Sequence, residues 1–184
     1  MLAALDRHHV EYVVVGGYAA NVHGSVRPTK DIDVAPATTT ENLTRLVAAL
    51  QELNAGIRVD EMPDGLPFDT SAEALKGMKM LNLRTRFGDL DLAFSPAGFP
   101  GGYADLIVRA GEFVVDGLTI RVAALQDVIS SKAAANRLKD QDALPELIRL
   151  ARRAESGKDG GTPANPADRA AGHRPKAVRR PSVS

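Results

Sequence analysis

The 184-residue chain balances 23 Lys/Arg against 23 Asp/Glu, is 44% hydrophobic and 25% charged, and contains no cysteine. This is an ordinary composition for a folded, water-exposed domain, and it excludes a disulfide-built scaffold and any thiolate metal centre. No apolar run approaches the ~18 residues of a membrane span, and no basic-then-apolar leader follows Met1, so a cytoplasmic protein without membrane contact is expected.

Residues 1–9 read as a short helix with Leu2 and Leu5 on one side. Val10 to Val15 is a β-branched run that stops at Gly16-Gly17, the pattern of a buried strand. Tyr18 to His23 continues as a helix closed by Gly24. A loop over Ser25–Thr29 leads into Lys30–Ala35, where Ile32 and Val34 face one way and Asp31 and Asp33 the other. Thr39 or Thr40 caps a helix reaching Leu53, with Leu43, Leu46, Val47 and Leu50 at helical spacing.

Residues 57–70 are rich in Pro, Gly and Asp and are expected to hold one short strand and a loop. Met78–Phe87 alternates as a strand, Gly88-Asp89 turns it, and Leu90–Phe94 returns beside it. Tyr103–Ala110 reads as a helix, and Phe113–Val115 with Leu118–Val122 as a hairpin around Asp116-Gly117. Helices over about 124–135 and 139–155 close a single domain, 1–155. From Ser156 the apolar period is lost, and residues 156–184 are expected to form a disordered tail. That tail holds six Lys/Arg against Asp159 and Asp168, so the zero net charge divides into a basic tail of +4 and an acidic body of −4.

Candidate chemistry sits in four places. A strand running into Gly16-Gly17 and then a helix lets a phosphate approach the backbone and free N–H groups. Asp31-Ile32-Asp33 sets two carboxylates on one face of a strand, roughly 6–7 Å apart. Asp is disfavoured in strands and two neighbouring anions repel, so a cation should justify them. Hard oxygen donors without His or Cys point to Mg2+ or Mn2+. Asp89-Leu90-Asp91-Leu92 repeats the alternation, and if its strand lies beside the first it supplies a third carboxylate. Asp91 lies within the strand and is the first choice; Asp89, at the turn, is the reserve.

The remaining charged residues divide by placement. Arg27 is suited to grip phosphate in two places, whereas Lys30 alternates away from the Asp face. His8 and His9 read as surface residues, and His23 as a residue closing its helix beside the C-terminal dipole. With three Tyr and five Phe the chain has little to stack RNA bases on.

Taken together, Gly16-Gly17, the span Ala19-Ala20-xx-His23-Gly24-xx-Arg27-x-Thr29-x-Asp31-Ile32-Asp33-Val34, and Gly88-x-Leu90-Asp91-Leu92 resemble the DNA polymerase β-type nucleotidyltransferase superfamily. The likeness is to its small bacterial members, among them AbiEii-type toxins of toxin–antitoxin pairs, and it covers residues 1–150. Leu125-Gln126-Asp127-Val128-Ile129-xx-Lys132 and Arg137-Leu138-Lys139-Asp140 resemble that group's helical segment.

The resemblance implies an α/β (α+β) fold with a small mixed sheet flanked by helices and a short helical C-terminal end. It implies metal binding by Asp31, Asp33 and Asp91, phosphate contact at Gly16-Gly17, and Lys132 and Asp140 on the nucleotide or acceptor side. Asp142, two residues after Asp140, is expected to face away. The implied reaction moves a nucleoside monophosphate from an NTP to a hydroxyl of tRNA or a protein, in a toxin held by a cognate antitoxin. Two rivals stand beside it: a catalytically silent nucleotide- or partner-binding module, and a small-molecule, antibiotic-modifying transferase, for which the acidic body suits a cationic acceptor.

Overall fold

The structure is a computed structural model that describes residues 1–157; the tail expected over 156–184 lies outside the described residues apart from its first two. Among the described residues seven helices and eight strands are formed: α1 (Leu2–Arg7), β1 (Tyr12–Val15), α2 (Gly16–Val22), β2 (Asp31–Pro36), α3 (Thr40–Glu52), β3 (Gly56–Val59), β4 (Met62–Leu66), α4 (Ala72–Leu75), β5 (Met80–Thr85), β6 (Gly88–Ala93), α5 (Tyr103–Ile107), β7 (Gly111–Val115), β8 (Leu118–Val122), α6 (Leu125–Ala135) and α7 (Leu138–Gly157). Among the described residues no helix is long and apolar enough to cross a membrane.

One mixed sheet has the order β4-β3-β5-β6-β2-β1-β8-β7. The β2–β6 and β1–β8 pairs are parallel, and the others antiparallel. This is the α/β architecture with a mixed sheet that the sequence led us to expect. The sheet is wider than the periodicity suggested because residues 57–70 hold two strands rather than one, and β3–β4 extend the sheet at one edge.

The core forms where the alternation said it would. All four residues of β1 are buried, and Val34, Leu90 and Leu92 are fully inaccessible. Leu43, Leu46 and Leu50 of α3 are buried in the same core. Each contributes about 1.5–3 kcal/mol relative to an exposed position. Thr39, not Thr40, caps α3, its hydroxyl accepting the Asn42 N–H at 3.2 Å. α6 ends at Asn136, whose φ of 51° breaks the helix before α7 begins.

Two turns compare directly with the sequence reading. The β7–β8 turn is formed by Asp116 and Gly117, both at positive φ, as expected for a two-residue hairpin loop. The β5–β6 turn falls on Arg86-Phe87 rather than on Gly88-Asp89, since Thr85 pairs with Gly88. The Thr85 hydroxyl accepts the Phe87 N–H at 3.1 Å and donates to the Gly88 carbonyl at 2.8 Å, which fixes the turn there. Asp89 is therefore a strand residue and not a turn residue.

Candidate active site

The sheet register assembles the carboxylates. β2 and β6 run in parallel with Asp31 opposite Asp89 and Asp33 opposite Asp91. Neighbouring strands lie about 4.8 Å apart and residues two apart share a face, so the four Asp form a square on one face of the sheet. Carboxylate oxygens of Asp31, Asp33 and Asp91 all lie within 4.8 Å of one another. The fourth corner is neutralised: Asp89 is paired with Arg84 and, at 3.2 Å, with Arg58. Asp91 thus joins the cluster and Asp89 does not, for a reason other than the turn position expected of Asp89, since both are strand residues.

Gly16 and Gly17 start α2 directly against this square. Gly16 has a φ of 64°, and a Cβ there would sit 2.5 Å from Asp33 Cγ. At Gly17 a Cβ would lie 2.7 Å from Thr29 Oγ1, and that hydroxyl donates to Asp31 Oδ1 at 2.8 Å. The two glycines are required first of all by the close approach of α2 to Asp33 and to the loop that positions Asp31.

The electrostatics of the square are unfavourable without a cation. Burial, followed by the charges of Asp31 and Asp91, pushes the Asp33 carboxyl up to about 6, partly opposed by the Gly17 backbone N–H and Lys139. Asp91 is also raised by burial, although Arg58 pulls it back. Arg58 Nη2 donates to Asp91 Oδ2 at 3.2 Å and also stands 3.1 Å from the buried Oδ1, an ion-pair contact without hydrogen-bond geometry. Three carboxylates whose oxygens converge, with one arginine among them that is shared with Asp89, are the setting that a divalent cation with oxygen ligands would relieve. The residues present fit Mg2+ or Mn2+.

The square opens into a cavity of about 710 Å3, within the range of small-molecule clefts, roughly 300–1,000 Å3. Its second wall is cationic and comes from the α2–β2 loop and the α6–α7 junction. Arg27, Lys132 and Arg137 line it, as do Lys30 and Lys139. Arg27 is exposed and donates to the Asp142 carbonyl at 3.2 Å. Asp142 is itself exposed, as its spacing suggested.

Two expectations need correction. Asp140 does not line the cavity. It is fully buried beneath the wall, accepting Lys132 at 3.1 Å and Arg137 at 2.6 Å. Burial alone would raise its carboxyl, but the hydrogen bonds from Arg137 and Lys132 outweigh it and hold it below the ordinary range. Lys30, expected on the opposite face, lines the cavity, because β2 begins only at Asp31 and strand alternation does not extend back to it.

Sequence reasoning missed Arg58, Asn82 and Lys139. Asn82 lies opposite Asp91 on β5, and Arg58 comes from β3, in the segment taken for mostly loop. The Ile57-Arg58-Val59 alternation was the available signal. His8 and His23 are structural: His8 pairs with Glu52 at 2.8 Å, and His23 contacts the Ala123 carbonyl at 2.8 Å with its ring edge-on to Phe113.

No protein-family model matches the sequence, and no curated protein is significantly similar to it. Solved structures are similar in fold. The lincosamide antibiotic adenylyltransferase LnuA, in its lincomycin-bound crystal structure, aligns with a TM-score of 0.53 at 16% identity over 81% of this chain and 92% of its own. ANT(2″)-Ia, in its crystal structure in complex with adenylyl-2″-tobramycin, aligns with a TM-score of 0.51 at 18% identity over 86% and 87%. The chain shares the fold of these nucleotidyltransferases.

Proposed function

We propose that this chain is a divalent-metal-dependent nucleotidyltransferase that moves a nucleoside monophosphate from an NTP to a hydroxyl of a small molecule, releasing pyrophosphate. The observation that carries the proposal is the convergence of Asp31, Asp33 and Asp91 beside Gly16-Gly17 in one cavity with a cationic opposite wall. Mg2+ or Mn2+ held by Asp31, Asp33 and Asp91 would neutralise phosphate charge and make the acceptor hydroxyl more acidic.

The chain's own residues do the rest. Gly16-Gly17 line the cavity beside Asp33 and present no side chain to an approaching phosphate. Arg27, Lys132 and Arg137 meet the charge that builds on the departing pyrophosphate, with Asp140 fixing Lys132 and Arg137 from below. Asp91 faces the acceptor side, toward Asn82 and Arg58, and takes the proton of the attacking hydroxyl. The new bond joins that oxygen to the α-phosphorus, and the α–β phosphoanhydride bond breaks.

For the acceptor, LnuA and ANT(2″)-Ia favour a small molecule. A tRNA or protein hydroxyl and a cognate antitoxin rest on the sequence resemblance alone. Purified protein, each α-labelled NTP, Mg2+ and a panel of hydroxyl compounds, with total RNA and protein alongside, test the reading. Label should pass to an acceptor with wild type and fall at least a hundredfold with Asp91→Asn. Metal-dependent NTP binding without transfer to any acceptor would replace the enzyme with a nucleotide-binding module.

A further inference from the structure

The cavity's charge inventory points to what the acceptor carries. Among the described residues its lining holds six cations, Arg27, Lys30, Arg58, Lys132, Arg137 and Lys139, and only three carboxylates, Asp31, Asp33 and Asp91. All three carboxylates belong to the metal square. The nearest further acids are committed elsewhere: Asp89 to Arg84 and Arg58, and Asp140 to Lys132 and Arg137. An incoming ammonium group therefore finds no free carboxylate in the cavity. With Asp89, Asp140 and Arg84 counted alongside the lining, seven cations face five carboxylates, and bound divalent ions and a triphosphate, of opposite charge and similar size, leave that surplus of two in place.

That surplus is divided between two walls. Lys132 and Arg137 stand at the α6–α7 junction, on the side given above to the triphosphate. Arg58 stands alone on the other side, reached by walking across the sheet from Val15 through Asp33 and Asp91 to Asn82. It uses Nη1 on Asp89 and Nη2 on Asp91. Its side chain is 24% exposed, and a guanidinium carries five N–H donors, so donors remain for a further anion. Met80 and Ala93, paired across β5 and β6 two residues along from Asn82 and Asp91, add apolar lining to the same cavity.

We propose that Arg58, with Asn82 and Met80, forms an acceptor subsite that recognises a phosphate ester next to the accepting hydroxyl, and that polycationic acceptors are excluded. This rests on the nucleotidyltransferase reading and names its acceptor class. It departs from the expectation that an acidic body suits a cationic acceptor, because the body's negative charge does not lie free in the cavity.

Binding and transfer are measured separately. With Mg2+ and a non-hydrolysable NTP analogue, calorimetry compares ribose 5-phosphate, ribose, a short RNA with a free 3′-hydroxyl, and tobramycin as a polycation. Ribose 5-phosphate is expected to bind at least tenfold tighter than ribose, and tobramycin weakest. Preference for the RNA over ribose 5-phosphate would place the phosphate in a polymer and leave the chemistry standing. Arg58→Gln should erase the phosphate preference, read as the ratio of ribose 5-phosphate to ribose affinity within one protein so that any change at Asp91 and its metal cancels, and Arg58→Lys should restore part of it. Thermal melts of both variants check the fold. Tobramycin binding as tightly as ribose 5-phosphate, or an Arg58→Gln protein that keeps the phosphate preference, overturns the inference. Absence of transfer to every acceptor, with the phosphate preference intact in binding, counts against the nucleotidyltransferase reading and leaves the subsite.

Discussion

Replacing Asp33 by asparagine separates the charge of this carboxylate from its shape. Its pKa is pushed up from 3.8 to about 6 by burial and by the neighbouring carboxylates. Between those values the folded protein binds more protons than the unfolded chain, so stability falls as pH rises from about 4 to about 6 and stays low above that. A shift of roughly two units, at ~1.4 kcal/mol each, sets an upper bound of about 3 kcal/mol. Asparagine keeps the side-chain shape and can accept the Gly17 N–H. Asp33→Asn should therefore match wild type near pH 4 and exceed it at neutral pH by about 1–3 kcal/mol, or roughly 3–10 °C in Tm. The assay is a series of thermal melts from about pH 4 to pH 8 with chelator present. Added Mg2+ should then reverse the ranking by stabilising wild type and hardly affecting the variant. A gap between the two proteins that is constant across pH, or equal stabilisation of both by Mg2+, would refute the electrostatic account of the square.

Gly16→Ala should lower Tm and abolish Mg2+-dependent stabilisation, because its φ of 64° and the closeness of Asp33 leave no place for a Cβ; left-handed backbone alone costs about 1–2 kcal/mol. Asp140→Ala leaves Lys132, 16% exposed, without its buried partner and should cost about 3 kcal/mol by urea melts. Labelled-nucleotide transfer should also weaken as the cationic wall loosens. Asp91→Asn and Asp89→Asn should differ sharply, with the first removing transfer and the second reducing it only a few-fold, as read in the same assay.

The fold was legible wherever one face of an element is buried and the other is wet. β2 and α3 announced themselves by alternation and by helical spacing, and the tight Asp116-Gly117 turn by its residue types. Legibility failed where the partner of a segment is distant in the chain. Residues 56–66 carry Pro63, Gly65 and several charges, which locally read as loop, yet they form two strands because β5 offers β3 a ladder. The turn after β5 was misplaced by two residues because Gly88 drew attention as a turn former. Thr85 supplied the hydroxyl that fixed the turn earlier.

The same distinction governs the site. Alternation alone put Asp31 with Asp33 on one face and Asp91 inside its strand, whereas Asp89 read as a turn residue. Nothing local could say that β2 and β6 would be parallel neighbours in a register that sets Asp33 beside Asp91 and Asp31 beside Asp89. Nor could it show how the two arginines would divide the four acids. Arg84 is bound to its choice by position, lying directly opposite Asp89 on the adjacent strand. Arg58 arrives one strand further out and bridges Asp89 and Asp91, so that Asp89 is matched by two arginines while Asp91 has only the one it shares with Asp89. The asymmetry that makes Asp91, and not Asp89, the third member of the cluster is thus a property of sheet order. Moving Arg58 out of reach should raise the Asp91 carboxyl further, since its attraction is the main force opposing burial there.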